Sequence, residues 1–218
     1  MKRKTLGLLH TSAALVPVFA QLCRAKLPRV DTFNLVDDSL VPAIGAHGLT
    51  AAISGRVAGY LAAAEAAGAD YILVTCSSIG PAVEAAAPQR GVPVLRVDQP
   101  MADQAVRTGR RIGVIATLPT TLVPTADLIQ RRAALAGRPI ELVSRLCEGA
   151  FAALTDGEAA KHDAMVVAAL RELAAGVDVI VLAQASMARV VDGLPAAARR
   201  VPILASPALA IDFLAGAL

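Results

Sequence analysis

The chain has 218 residues, of which 56% are hydrophobic types and 18% are charged. That is too apolar for a disordered tail, a collagen-like repeat or an acidic solvating segment, and long enough for one large domain or two of about 100 residues each. Lys and Arg number 21 against 18 Asp and Glu, a formal charge of +3 with the Arg residues scattered or paired, and with four Phe, two Tyr and no Trp there is neither a basic stripe nor an aromatic platform for nucleic acid.

The chain start admits two readings. Lys2, Arg3 and Lys4 before an uncharged stretch from Thr5 to Cys23 resemble a secretory leader. However, Leu6-Gly7-Leu8-Leu9-His10-Thr11 returns in altered form as Ile112-Gly113-Val114-Ile115-Ala116-Thr117, and both copies continue to Leu-Val-Pro, at Leu15 to Pro17 and Leu122 to Pro124. A cleaved leader has no reason to match an interior segment, so the first copy reads as a buried strand. His10, Thr11, Ser12 and Pro17 also break the stretch too often for a membrane span. The expected location is the cytoplasm.

Two further matches follow in the same order. Gly68-Ala69-Asp70-Tyr71-Ile72-Leu73-Val74 pairs with Gly176-Val177-Asp178-Val179-Ile180-Val181-Leu182, and Val92-Pro93-Val94-Leu95 with Val201-Pro202-Ile203-Leu204. Collinear repeats at near half the chain length indicate an internal duplication. Short Val, Ile and Leu runs predict strands near 5–10, 30–36, 70–75, 92–97, 111–116, 139–144, 177–183 and 201–204, with Ala-rich helices between them. Thr155-Asp156-Gly157-Glu158 has the spacing of a capping box before a helix over 159–175, and Gly68 and Gly176 stand where helix C-terminal glycines belong. The fold class expected is α/β, with two similar lobes each holding a four-stranded parallel sheet flanked by helices. The lobes are expected at 1–97 and 98–206, related by a pseudo-twofold, with a last helix over 207–218 completing the first.

Parallel sheets bind ligands beyond the carboxyl ends of their strands. That rule selects His10-Thr11-Ser12, Cys76-Ser77-Ser78, Thr117 to Thr121 and Gln184-Ala185-Ser186. Hydroxyls, amides and backbone N–H groups at such places suit a carboxylate or phosphate. Neither glycine-rich phosphate motif occurs, so a nucleotide is not favoured. Cys76 follows a buried strand and precedes a helix, a setting that favours the thiolate, and Thr75, Ser77 and Ser78 around it are poor core material. Cys23 and Cys147 have no such setting and read as structural. The three cysteines lie far apart without C-x-x-C or His at ligand spacing, which gives no disulfide framework and no metal site. His10 is expected to tune Cys76, to bind carboxylate or to be a hydrogen-bonded structural residue. His47 and His162 lie in stretches that read as solvent-exposed, and Asp37 and Asp38 read as helix caps with an active-site role for Asp37 left open.

With Thr75-Cys76-Ser77-Ser78 after the third strand and Leu182-Ala183-Gln184-Ala185-Ser186-Met187 at the equivalent place in the second copy, the chain resembles the aspartate/glutamate (Asp/Glu/hydantoin) racemase superfamily, which includes arylmalonate decarboxylase and maleate isomerase. The resemblance covers essentially the whole chain. It implies a cofactor-independent enzyme with its active site between the halves, where racemases place two cysteines on opposite faces of the substrate α-carbon. Cys76 matches the first of these, while Gln184 stands where the second would be and cannot exchange a proton at neutral pH. The implied reaction is racemase-like or isomerase chemistry at the α-carbon of a small carboxylate. Cys76 would be the thiolate base or nucleophile, and His10, Thr11, Ser12, Ser77, Ser78, Thr117, Thr120, Gln184, Ala185 and Ser186 would bind the substrate. A single-cysteine decarboxylase and a catalytically silent two-lobed binding protein are the alternatives. No metal, flavin, pyridoxal phosphate or nucleotide is implied by any motif, so no cofactor is expected. The partners expected are a small carboxylate and further copies of the same chain, with no nucleic acid and no membrane.

Overall fold

Strand β1 (Lys4–His10) is apolar on both faces because it lies inside a parallel sheet, where Leu6, Leu8 and Leu9 are each at most 2% exposed. The computed structural model describes residues 3–194 and 199–218. After β1 come α1 (Leu15–Lys26), β2 (Val30–Val36), α2 (Leu40–His47), α3 (Ala51–Ala66), β3 (Tyr71–Val74), α4 (Gly80–Ala86) and β4 (Val94–Arg96). The strands pair in the order β2-β1-β3-β4, all parallel. Edge strand β2 has only exposed and half-buried residues, whereas central β3 buries Ile72, Leu73 and Val74 completely.

The second series repeats this plan. It consists of α5 (Gln99–Thr108), β5 (Arg111–Ala116), α6 (Pro119–Leu135), β6 (Glu141–Leu146), α7 (Ala150–Thr155), α8 (Ala159–Leu173), β7 (Val179–Leu182), α9 (Ala188–Asp192), β8 (Ile203–Ala205) and α10 (Ser206–Ala217). Its strands pair in parallel as β6-β5-β7-β8. Two four-stranded parallel sheets flanked by helices are thus present, as the repeats require. The chain divides into two units, Met1–Asp98 with Pro207–Leu218, and Gln99–Ser206. Helix α10 joins the first unit through Ala210, Ile211 and Leu214, which are fully buried in one cluster with Leu6, Leu8, Phe19 and Leu73. Burying each of the two larger side chains is worth about 1.5–3 kcal/mol.

Four local expectations are corrected. The sixth strand starts at Glu141, not 139, because Pro139 has no N–H to give to the ladder, and the first such bond is Glu141 N–H to the Arg110 carbonyl. No capping box forms at Thr155: its hydroxyl donates to the Ala152 carbonyl at 2.9 Å within α7, and Glu158, the N-cap residue of α8, makes no side-chain cap. Gly68 adopts the left-handed φ of +89° that ends α3, whereas Gly176 is not among the positive-φ glycines. His162 is fully buried, because it shares the inward stripe of α8 with Val166, Ala169, Leu170 and Leu173. His47 is exposed. Among the described residues no helix is long and apolar enough to cross a membrane.

Candidate active site

The carboxyl end of β3 turns immediately into a single 3₁₀ turn, Ser77–Ile79, with Cys76 in extended conformation at its start and α4 following at Gly80. Cys76 is half-buried, whereas Cys23 and Cys147 are buried and their thiol pKa values are pushed up by that burial. The thiol that a solvent-borne reagent can reach is therefore the one at the strand end. Ser77 and Ser78 are buried beside it, each 5% exposed.

Behind this turn lies a charged group that the sequence reading did not single out. Arg96, at the end of β4 and 3% exposed, donates through Nε and Nη2 to both carboxylate oxygens of Asp98, at 3.0 and 2.8 Å, and its Nη1 ion-pairs with Glu84 at 3.0 Å. Burial opposes its charge, but Asp98 and then Glu84 outweigh that and hold the guanidinium pKa above its ordinary value. The guanidinium lies directly against Gly80: a Cβ there would stand 2.2 Å from Arg96 Cζ. The second unit solves the same packing without charge. Registers Val74↔Arg96 and Leu182↔Ala205 make Ala205 the counterpart of Arg96, and Ala188 opens α9 as Gly80 opens α4. An arginine inside the run Val94-Leu95-Arg96-Val97 was the available signal.

His10 ends β1 and is fully buried, with its ring 5.7 Å from that of Phe19. Its Nδ1 lies 2.9 Å from Thr75 Oγ1, and its Nε2 lies 2.9 Å from Asn34 Oδ1. A neutral imidazole satisfies both, with Nε2–H donating to Asn34 and Nδ1 accepting from the Thr75 hydroxyl, whose alternative acceptor is the Leu9 carbonyl at 3.1 Å. Burial pushes the His10 pKa below its ordinary value and the Asn34 contact only partly opposes this, so the ring is neutral at pH 7. Both ring nitrogens of His10 are engaged within the first unit, one of them by Thr75, the residue before Cys76. Continuing the β1–β3 register, Leu9↔Val74, sets the buried Thr11 beside Cys76, with half-buried Ser12 following.

In the second unit the same register places Thr117 beside Gln184, and here the contact is direct. Thr117 donates through its backbone N–H and, at 2.9 Å, its hydroxyl to Gln184 Oε1. A backbone N–H can only donate, which fixes the amide orientation with the carbonyl toward Thr117 and the NH₂ away from it. Gln184 Nε2 makes no hydrogen bond among the described residues. Ala185, Ser186 and Thr120 are half-buried alongside, whereas the donors of Thr117 are spent on holding Gln184. Asp37 does not cap α2, whose N-cap is Ser39 with no side-chain bond to the helix. Its carboxylate instead accepts from Ser39 N–H at 3.1 Å, Ser39 Oγ at 2.7 Å, Tyr60 OH at 2.6 Å and Arg56 Nη2. Burial raises the Asp37 pKa, but these donors, Tyr60 first, outweigh it and hold the carboxyl below its ordinary value. Among the described residues no three His, Cys, Asp or Glu side chains gather as metal ligands do.

Residues 6–214 match the family model described as Asp/Glu/Hydantoin racemase. The chain belongs to that family. Solved structures of racemases share its fold at low identity. A glutamate racemase isoform from Bacillus anthracis is 19% identical, with a TM-score of 0.77 over 100% of this chain and 82% of that one. An aspartate racemase from Picrophilus torridus is 13% identical, with a TM-score of 0.74 over 98% and 94%. An allantoin racemase from Klebsiella pneumoniae is 20% identical, with a TM-score of 0.70 over 98% and 86%. No curated protein matches the chain in sequence. Membership in the racemase family supports a racemase-like or isomerase function.

Proposed function

We propose that this chain is a cofactor-independent isomerase that works at the α-carbon of a small carboxylate, with the Cys76 thiolate as base or nucleophile. One observation carries the reading. The reachable thiol occupies the carboxyl end of a central strand in one unit, and the register-equivalent place in the other holds an amide fixed with its NH₂ group available. As base, the thiolate takes the α-proton and becomes a thiol, and the electron pair released from the C–H bond spreads onto the carboxylate as an enediolate. Donors preorganised for that charge stabilise the transition state, and losing one good donor costs about 3 kcal/mol. The donors assigned here are backbone N–H groups after Cys76 and Gln184, the hydroxyls of Thr11, Ser12, Ser77, Ser78, Thr120 and Ser186, and Gln184 Nε2. Thr117 and His10 hold these groups in place.

Gln184 cannot return a proton, so reprotonation comes from the Cys76 thiol or from water. That asymmetry supports a second reading, protonation from one face after loss of carbon dioxide from a malonate-type substrate. The test is proton NMR in deuterium oxide with small amino and hydroxy acids, hydantoins, maleate and substituted malonates, comparing the wild type with Cys76→Ala. Label entering the α-carbon, or a new skeleton, only when Cys76 is present is the expected result. Exchange that survives Cys76→Ala overturns the assignment of the base, and no reaction on any compound overturns turnover in favour of a binding protein.

A further inference from the structure

Helices α10 and α1 pack on the first sheet as α5 and α6 pack on the second. The buried positions Met101, Ala102, Ala105 and Val106 of α5 match Ser206, Pro207, Ala210 and Ile211 of α10. Thr125, Ile129 and Ala133 of α6 likewise match the buried Phe19, Cys23 and Leu27. These matches set Arg107 in the place of Asp212, Arg132 in that of Lys26 and Leu135 in that of Arg29. In the first unit the corner is closed by an ion pair, with Lys26 Nζ 2.6 Å from Asp212 Oδ1. In the second the acidic member is an arginine, so two guanidiniums stand where one cation meets one carboxylate.

Arg132 finds its carboxylate one turn back on α5, where its Nε and Nη2 donate to Asp103 at 2.5 and 2.9 Å. One of the two charges is thereby neutralised. Arg107 donates from Nη2 to the neutral Gln104 at 3.1 Å and has no carboxylate partner among the described residues. Between the helices lies a cavity of about 310 Å³ lined by Asp103, Val106, Arg107, Arg132, Leu135 and Ala136. That is the lower end of the range for small-molecule sites. Two arginines against one aspartate leave the lining with one positive charge, and the remaining walls are apolar. Leu135 stands at this charged rim 77% exposed. The last carbonyls of α6 do not compete for the guanidiniums, because those of Arg132, Ala133 and Ala134 accept from the N–H groups of Ala136, Arg138 and Gly137. The helix dipole favours a basic residue in the last turn of α5, but it accounts neither for the missing carboxylate nor for the cavity.

We propose that this cavity binds a small aliphatic carboxylate, whose charged end takes the place that Asp212 fills in the first unit and whose chain lies on Val106, Leu135 and Ala136. Helix α5 leads into the amino end of β5 and α6 returns to that end, so the cavity lies at the opposite end of the second sheet from Gln184. Neither the site nor its test involves Cys76. Hexanoate, acetate and hexanol are titrated into the wild type, Arg107→Gln and Arg107→Asp, followed by the amide NMR shifts of residues 103–109 and 131–138. Acetate lacks the chain and hexanol lacks the charge. Arg107→Asp installs the residue of the first unit and gives the corner a carboxylate of its own. The expected result is a saturable hexanoate shift in both segments of the wild type. Its affinity should be weaker by roughly 10-fold or more in both variants, and acetate and hexanol should bind the wild type more weakly by a similar factor. Arg107 is exposed, so both variants should fold, and Arg107→Gln decides alone if the charge reversal does not. Equal hexanoate affinity in the wild type and Arg107→Gln, acetate or hexanol binding as tightly as hexanoate, or no saturable shift in the two segments overturns the site. Shifts confined to the surroundings of Cys76 and Gln184 overturn it as well, because hexanoate is then a ligand of the candidate active site.

Discussion

Gly80→Ala drives a methyl group into the guanidinium of Arg96. The new Cβ would stand 2.2, 2.4 and 2.6 Å from Cζ, Nη2 and Nε, and the guanidinium cannot slide away without leaving Asp98 and Glu84. Overpacking alone costs about 1–3 kcal/mol, and weakening a buried ion pair adds a share of the roughly 3–5 kcal/mol that its loss would cost. The higher helix propensity of alanine returns at most about 1 kcal/mol. The expected destabilisation is about 2–4 kcal/mol, on the order of 10 °C in melting temperature for a chain of this size. The decisive assay is a double-mutant cycle by urea unfolding. In an Arg96→Ala background, which removes the obstruction and reproduces the Ala188 and Ala205 pair of the second unit, Gly80→Ala should cost less than about 0.5 kcal/mol, a coupling of at least about 2 kcal/mol. Equal costs in the two backgrounds would refute the reasoning, because the glycine would then be needed for its backbone and not for the arginine. In the wild-type background, Gly80→Ala also shifts the turn that carries Cys76, so Cys76-dependent exchange should fall with stability.

Three further outcomes are expected. Iodoacetamide should alkylate Cys76 first in the native protein, with Cys23 and Cys147 reacting only after denaturation, read by peptide mass spectrometry; labelling of all three at one rate would contradict the burial pattern. Gln184→Ala should cost about 1–3 kcal/mol, because the buried Thr117 loses its acceptor, whereas Gln184→Glu keeps an acceptor and loses the NH₂ donors, so it should retain stability and lose carboxylate binding. The His10 pKa is lower in the folded chain than its ordinary 6.5, so the unfolded chain takes up the proton first: stability from this group is present above pH 6.5 and is lost as pH falls through the folded value. His10→Gln should flatten the pH dependence of urea midpoints between pH 7 and 5, and an unchanged slope would remove His10 as its source.

The sequence by itself determined the fold. A central strand of a parallel sheet is buried on both faces, so Leu6 to Leu9 and Ile112 to Ala116 had to be continuous apolar runs, and a duplicated gene repeats such runs in order. Cys76 and Gln184 were legible for the same reason, because strand ends are where polar residues break those runs. What tertiary structure decided was partnership. His10 faces Asn34 and Thr75, 24 and 65 residues away, and Gln184 faces Thr117, 67 residues away. The contact of Arg96 with Gly80 likewise bridges two elements that only the sheet order brings together. Period and composition report which face of an element is buried. They carry no information about which side chain from another element lies against it, and that is what decides whether a histidine is neutral, which end of an amide is free, and where a guanidinium is held.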